Sequence, residues 1–402
     1  MTNFKNAKIA TLLGFLFLGT LTLGTLFPLA LSFSPALLGL VGTTLFYISE
    51  KRIPKIDYNI LLCVLVLSGI LIASSFWSVS PPISLSRGLK VSALFLLSCP
   101  LLFLCHELPD KSLHILKKWC AIPLLVSAVI IYIELRFSYP IYRFLAQIPD
   151  DTLISPAELN KHVSVLTLLA PFGIIFSIRA RFITFPLLLA VLTGLVLSAT
   201  EDNAAQLSMI IMILSVPCLM IMPKAAPRIA FGSIAFILLF MPWISPVAFD
   251  AFAEPLAHKN TFAQQANMSM RLENWDFLSR RIAENPWTGF GVDTTRTMTF
   301  DTDQKYFRGN TILHPHNVVL QLWIECGLIG VMYALGVLAF LYHRLTSLSL
   351  PTRIMPFAIL GGLMVFLLVS WSCWASWLDG FIVLVAGLLI LAIRPKAVQL
   401  TS

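Results

Sequence analysis

Charged residues are scarce in this chain. Asp, Glu, Lys and Arg together make up 12% of its 402 residues, against 57% hydrophobic residues, and its mean hydropathy is +0.85. A soluble domain carries roughly 25% charged residues, so the composition argues against a soluble protein and predicts a polytopic membrane protein. The seven cysteines lie in or beside apolar segments and none in the long polar segment, so we expect no disulfide framework.

The positive net charge does not indicate a nucleic-acid-binding protein. The formal charge is +8, yet most Lys and Arg residues lie in short segments between apolar runs, where they set the orientation of a membrane protein. An alternation of strand and helix patterns is also lacking, which argues against a nucleotide-binding α/β domain.

Twelve apolar runs divide the chain. They lie near residues 9–27, 30–49, 57–77, 90–105, 119–136, 163–178, 183–199, 204–222, 229–249, 317–341, 354–371 and 378–393. Because a hydrocarbon core takes ~20 helical residues, we predict an all-α integral membrane protein with about twelve transmembrane helices. One helix over residues 9–49 would be too long, so a turn is predicted near Ser32-Phe33-Ser34-Pro35. A cleaved signal peptide over residues 5–31 is disfavoured because its apolar run is too long.

Lys and Arg predict the orientation of these spans. With a cytoplasmic N-terminus, sixteen Lys and Arg residues fall on the cytoplasmic side and five in short outer loops, a strong positive-inside bias. Residues 250–316 form one long polar outer loop, which we expect to be partly helical and to cap a functional site. The predicted organisation is transmembrane helices 1–9 over residues 1–249, this loop over 250–316, and helices 10–12 with a cytoplasmic tail over 317–402.

An amphipathic helix is predicted inside this loop. The stretch NMSMRLENWDFLSRRIAENP ends at Pro286, and at about 100° per residue Arg271, Trp275, Leu278 and Ile282 share one face. In the first turn, Arg271 opposes the helix dipole unless an anion is bound nearby. Two interpretations stay open: Arg271 binds an anion, or its stem packs on Trp275 while its head reaches water.

The stretch HPHNVVLQLWIECGLIG, residues 314–330, places two histidines at the start of an apolar run. Pro315 suits a helix start, and Asn317 begins a run of 25 residues that ends at Leu341. We therefore predict one continuous helix with His316 at its outer end. A single histidine at the membrane interface often has no catalytic function. A catalytic role for His316 therefore depends on the other functional residues near it.

Small residues follow His316 along one face of this predicted helix. Gly327, Gly330 and Ala334 share that face, which predicts a seam where a neighbouring helix approaches closely. Glu325 falls on another stripe, about 12 Å along the helix. An ionisable group is costly at that depth and is usually paired, so we expect Glu325 to make an interhelical hydrogen bond.

A metal site is not expected. The Asp-Thr-Asp run at 301–303 resembles a metal-holding pattern, but without a nucleotide-binding domain it predicts a solvated turn. His314 and His316, with His258, lack a cysteine or a closely spaced acid to complete a ligand set. The PWTGFG run at 286–291 has too few glycines for a phosphate-cradling loop and predicts a tight turn.

Two stretches carry a family resemblance. RLENWDFLSRRIAENPWTGFGVDTTR followed by HPHNVVLQLWIECGLIG resembles the signature region of the O-antigen ligase and polymerase superfamily, whose members have about twelve spans and a large periplasmic loop. The resemblance covers roughly residues 265–340 together with the topology, and WSVSPPISLSRGLK at 77–90 resembles the family's second outer loop. One departure is SATEDNAAQ at 198–206, where many members carry an arginine after the seventh span.

The resemblance implies glycosyl transfer at the periplasmic face of the bacterial inner membrane, without a metal or other cofactor. The donor would be a glycan on undecaprenyl pyrophosphate, and the acceptor a sugar hydroxyl of lipid A-core. His316 would act as the general base, and Arg271 would hold the pyrophosphate bidentately. The expected substrate-binding residues are Arg87, His314, Asn317 and Arg296. Arg87 or Arg296 would substitute for the missing family arginine.

Other functions stay open at this point. O-antigen polymerases use the same donor, as do protein O-oligosaccharyltransferases, which tend to be longer. A lipid-linked oligosaccharide flippase or other transporter is the non-enzyme alternative. Transporters usually place charged groups at the bilayer midplane in broken helices, whereas the spans here are nearly free of basic residues. The sequence favours the ligase. We expect the protein to contact membrane lipid and not to bind nucleic acid.

Overall fold

The structure is a computed structural model that describes residues 6–149, 151–258, 268–299, 315–369 and 371–394. The predictions made for His314, for the run at 301–303 and for the side chain of His258 lie outside the described residues.

Helices joined by short connections make up the described part of the chain. Their bounds are α1 Ala7–Leu26, α2 Ser34–Glu50, α3 Tyr58–Ala73, α4 Pro81–Glu107, α5 Asp110–Trp119, α6 Ala121–Arg136, α7 Pro140–Ala146, α8 Asn160–Arg179, α9 Thr184–Ala199, α10 Asn203–Ile221, α11 Ala225–His258, α12 Met268–Ile282, α13 Val318–Thr346, α14 Leu350–Val369 and α15 Ser376–Ile393. Short 3-10 helices lie at Pro28–Ser32, Ser74–Phe76, Pro156–Leu159 and Thr294–Thr297.

The predicted class, an all-α integral membrane protein, is confirmed. Within the described ranges, ten helical segments are long and apolar enough to cross a membrane. Two of the twelve predicted spans form shorter helices, since α2 has 17 residues and α9 has 16. The turn predicted near residues 32–35 separates α1 from α2, although the chain already leaves α1 after Leu26.

Buried apolar side chains tie the loop helix to the spans. One large cluster, which includes Phe17 and Phe172, joins α1, α4, α6, α8 and α15. A second cluster joins α11, α12 and α13 and includes Phe277 of α12 and Leu320 of α13. Because α12 buries its apolar face in this second cluster, the polar segment is packed onto the membrane helices over residues 268–282.

α13 is not the continuous helix that the sequence predicts. Gly327 has φ 60° and ψ −157°, a conformation that glycine adopts far more readily than other residues. The turn at 286–291 inserts at this break. Backbone hydrogen bonds join the two segments: Phe290 N to Ile324 O (2.8 Å), Gly291 N to Glu325 O (3.0 Å), Leu328 N to Pro286 O (2.8 Å) and Ile329 N to Trp287 O (3.3 Å).

Because Gly327 has no side chain, the turn at 286–291 packs against it, where the sequence predicts a neighbouring helix. A Cβ atom on Gly327 would collide with the backbone of Trp287, so the predicted helix seam is wrong at this position. The tight turn predicted for PWTGFG is confirmed, and its backbone satisfies the polar groups that the helix break exposes. Irregular backbone at membrane depth requires such partners.

Candidate active site

The loop helix α12 turns its predicted face toward the core. Leu278 and Ile282 are buried and Trp275 is partly buried. Arg271, one turn before Trp275, is half-buried, and its Nη1 donates a hydrogen bond to the carbonyl oxygen of Val369 at the end of α14. The helix and its orientation are thus as predicted from the spacing of these residues.

Arg271 keeps donors for a ligand. A guanidinium carries five N–H donors, and within the described part of the chain Arg271 makes that one hydrogen bond and no ion pair. Burial lowers the pKa of Arg271 from its ordinary value, and the charge of Asp202 opposes this change. A partly desolvated guanidinium with unused N–H groups is suited to bind a phosphate.

Asp202 lies near Arg271, in the segment where the family resemblance leads one to expect an arginine. Its carboxyl is buried: Oδ1 accepts from Ala205 N (3.2 Å), which caps α10, and Oδ2 accepts from Ser164 Oγ (2.5 Å). Burial raises the pKa of the Asp202 carboxyl, while Ser164 and Arg271 act in the opposite direction. The departure from the family pattern therefore places a buried carboxyl group, not a second guanidinium group, near Arg271.

His316 stands immediately before the capping residue of α13. Its φ is 51°, in the left-handed region that residues with side chains seldom adopt, and its side chain is half-buried. Trp275 Nε1 donates to the carbonyl oxygen of Pro315 at 2.9 Å. One helix, α12, thus carries Arg271 and also fixes the peptide that precedes His316. A strained backbone held by its surroundings is typical of functional sites.

Asn317 caps α13. Its Oδ1 accepts from Val319 N (2.9 Å) and Leu320 N (3.1 Å), and the residue is buried. This cap fixes the helix end next to His316. The side-chain oxygen is committed to the helix, so substrate binding by Asn317, which stays a prediction, would use its amide N–H groups.

Arg87 and Arg296 meet on a carboxylate that the sequence did not single out. Arg87 Nε lies 2.8 Å from Asp293 Oδ2, and Arg296 Nη2 lies 2.8 Å from Asp293 Oδ1. Arg87 Nη1 also donates to the carbonyl oxygen of Trp374 at 3.2 Å. The structure therefore brings these two predicted residues together, although they are far apart in the sequence.

Glu325 is fully buried and hydrogen-bonded. Its Oε2 accepts from Asp293 N (2.6 Å) and from Trp374 Nε1, and its Oε1 accepts from Thr295 Oγ1 (2.5 Å) and Gln321 Nε2 (3.3 Å). Glu325 is paired, as its depth in the membrane requires, but the predicted interhelical hydrogen bond is wrong for these partners: three lie on connecting segments, and Gln321 lies on α13 itself. Glu325 therefore holds the turn that presents Asp293 to the two arginines.

The loop helix α12, the first two turns of α4 and the segment immediately before α13 thus bring guanidinium groups and an imidazole to the site. Within the ranges that the structure describes, no group of three or more His, Cys, Asp or Glu residues is placed to hold a metal ion. Guanidinium groups can stabilise a developing phosphate charge, and an imidazole can accept a proton from a hydroxyl.

Much of the chain is similar in sequence to known proteins. Residues 162–335, which include Arg271, His316 and Gly327, match the O-antigen ligase family. A "Putative polysaccharide ligase" of Rickettsia conorii is 23% identical over 289 residues, which cover 70% of this chain and 68% of the relative. Relatives with the same description in Rickettsia typhi (22% over 186 residues) and Rickettsia prowazekii (25% over 144 residues) are matched over 45% and 35% of their own length. The chain is therefore similar to the O-antigen ligase family over residues 162–335, and to these described polysaccharide ligases over part or most of its length.

Proposed function

We propose that this protein is an O-antigen ligase, which transfers a glycan from undecaprenyl pyrophosphate to a sugar hydroxyl of lipid A-core at the periplasmic face of the bacterial inner membrane. Both termini then face the cytoplasm, in accord with the distribution of Lys and Arg. The observation that carries the proposal is that α12 carries Arg271, whose other N–H groups have no partner among the described residues, and also holds the peptide next to His316.

The reaction needs a base and a group that stabilises the leaving anion. The acceptor hydroxyl oxygen bonds to the anomeric carbon of the donor glycan, and the bond from that carbon to the pyrophosphate oxygen breaks. The hydroxyl proton passes to His316, and the electron pair departs with undecaprenyl pyrophosphate. Arg271 holds the developing negative charge through charge-assisted hydrogen bonds.

Substrate positioning involves the residues around this pair. Asn317 fixes the end of α13, and its amide group and His314 would bind the donor or acceptor sugar. A metal ion is not required for this route, because Arg271 supplies the positive charge that a divalent ion otherwise provides.

The helix break in α13 revives the transporter alternative, since broken helices often bind substrates in transporters. Here the break at Gly327 is filled by the backbone of residues 286–291, which hydrogen-bonds to both halves of the helix. A filled break supports a structural role for this irregularity and favours the enzyme. An O-antigen polymerase and a protein O-oligosaccharyltransferase share the donor chemistry and differ in the acceptor.

A deletion strain separates these functions. Lipopolysaccharide gels of a strain that lacks the protein should show bare core, while polymerised glycan accumulates on undecaprenyl pyrophosphate at the periplasmic face. Core that carries a single repeat unit indicates a polymerase instead, and accumulation at the cytoplasmic face indicates a flippase. An unchanged lipopolysaccharide pattern with loss of glycosylated protein indicates the protein-directed enzyme.

A further inference from the structure

A basic cavity lies at the outer end of α4, apart from Arg271 and His316. It has a volume of about 410 Å³ and is lined by the first three turns of α4 and by the turn at 293–296. Three cationic side chains line it, namely Arg87, Lys90 and Arg296, against the single carboxylate of Asp293. Neither Arg271 nor His316 is among its lining residues. The cavity therefore carries a net positive charge and is separate from the proposed transfer centre.

The cations of this cavity retain donors for an anion. Arg87 uses Nε and Nη1, and Arg296 uses Nε and Nη2, for their partners in the described structure. Nη2 of Arg87 and Nη1 of Arg296 have no partner among the described residues. Lys90 makes no hydrogen bond or ion pair to any residue in the described ranges, and it is exposed. One side of the cavity thus offers three unused positive donors.

The two guanidinium groups are held in place before any ligand binds. Asp293 bridges them, and its own backbone N–H is fixed by the buried Glu325 at 2.6 Å. Arg87 is further held by the carbonyl oxygen of Trp374. A preorganised pair of arginines loses little conformational freedom when it binds a phosphate, which favours a specific site over a diffuse basic surface.

The cavity borders an exposed face of α4. Lys90 lies about 14 Å along the helix from Pro81, and both Ser86 and Lys90 on this face are exposed. A lysine at this depth extends its ammonium group toward the headgroup region of the bilayer. A ligand with a lipid anchor in the outer half of the membrane can therefore reach the cavity sideways, with its anionic headgroup at the height of the cations.

We propose that this cavity is the acceptor subsite and that it binds the phosphate groups of a phosphorylated glycolipid. The inference rests on the proposed function, in which two lipid-borne substrates must be bound at once. The donor pyrophosphate has to lie at Arg271 and His316, where its bond breaks, so a second set of cations suits the second lipid. The acceptor is then selected by its anionic groups, while its sugar hydroxyl extends toward His316.

Kinetics with two forms of the acceptor test this assignment. The purified protein in nanodiscs receives the carrier-linked glycan at saturating concentration and either phosphorylated lipid A-core or the same material after dephosphorylation. For the wild type, dephosphorylation should raise the acceptor KM at least roughly tenfold, because one or more charge-assisted hydrogen bonds are lost. Lys90→Ala removes one such bond and should raise the KM for the phosphorylated acceptor roughly tenfold, with the donor KM and kcat unchanged.

Two variants sharpen this test. Lys90→Arg keeps the charge and should restore the acceptor KM. Arg136→Ala removes an exposed cation at the outer end of α6, away from the cavity, and should leave every constant unchanged. On the dephosphorylated acceptor Lys90→Ala should cause no further loss, because the group that it contacts is gone. An equal loss on both acceptors, or a change in the donor KM, overturns the assignment.

A binding measurement separates this proposal from the proposed function. Fluorescent lipid A-core, with and without its phosphates, is titrated against the protein in nanodiscs without donor. If the wild type transfers no glycan but binds the phosphorylated form more tightly, and Lys90→Ala reduces that preference, the cavity binds the phosphorylated glycolipid but the ligase function, and with it the role of the cavity as acceptor subsite, fails. If the wild type shows no preference for the phosphorylated form, the cavity assignment fails whether or not transfer occurs.

Discussion

Replacing Arg271 with lysine keeps one positive charge on α12 but removes the planar fork of donors. In the structure, Nη1 of Arg271 is engaged with the carbonyl oxygen of Val369, which leaves Nε and Nη2 for a bidentate phosphate contact. A lysine ammonium at this position supports one of these contacts but not both. The loss of one charge-assisted hydrogen bond, about 1.5–3 kcal/mol, corresponds to a roughly ten- to hundredfold decrease in transfer rate.

The matched control for this change lies on the same helix. Arg280→Lys removes another guanidinium of α12, whose side chain is 56% exposed and pairs with Asp276 at 2.9 Å one turn away. Exposed ion pairs of this kind contribute little, so Arg280→Lys should keep the transfer rate within about twofold of the wild type. Both variants are measured as initial rates of glycan transfer in nanodiscs, normalised to the amount of folded protein. Equal rates for Arg271→Lys and Arg280→Lys refute the bidentate contact between Arg271 and the pyrophosphate.

Further predictions concern the base, the metal and the helix break. His316→Ala should slow transfer about 10²- to 10⁴-fold, as expected for a lost general base, at an unchanged protein level, whereas His314→Ala should be milder. Near-normal transfer by His316→Ala contradicts its role. Transfer should survive EDTA, and its loss with recovery on adding Mg²⁺ contradicts the metal-free route. Gly327→Ala forces a side chain into φ 60° and against Trp287, so it should destabilise the protein by at least ~1–2 kcal/mol, seen as a lower melting temperature. Gly336→Ala, with open space around its Cβ, is the control and should melt like the wild type.

The spans and the loop helix were predictable because their signals are local. Apolar runs of about 20 residues indicate transmembrane helices whatever they pack against, and the spacing of Arg271, Trp275 and Leu278 identifies the buried face of α12. The N-terminus of α13 was equally readable, because Pro315 and Asn317 are helix-start residues. In each case one short stretch of sequence contains the whole physical cause.

The features that the sequence did not reveal depend on distant partners. Gly327 and Gly330 fit a helix-packing pattern as well as a helix break, and the break forms because a turn some forty residues earlier supplies the hydrogen bonds. In the sequence Asp293 has no feature that distinguishes it from other loop aspartates. Its role is visible only in the structure, where Arg87 and Arg296 form ion pairs with it. The proximity of Asp202 to Arg271 likewise joins residues far apart in the sequence, which no local spacing encodes.

Glycan transfer by the purified protein is the most direct test of the central claim. The protein in nanodiscs is mixed with undecaprenyl-pyrophosphate-linked glycan and lipid A-core in the presence of EDTA, and the products are separated on a gel. The account predicts lipid A-core that carries the glycan, together with released undecaprenyl pyrophosphate, for the wild type, and loss of both products for His316→Ala at equal protein. The account is contradicted if His316→Ala forms glycan-bearing lipid A-core as well as the wild type does. It is also contradicted if the wild-type protein forms no such product with either phosphorylated or dephosphorylated lipid A-core.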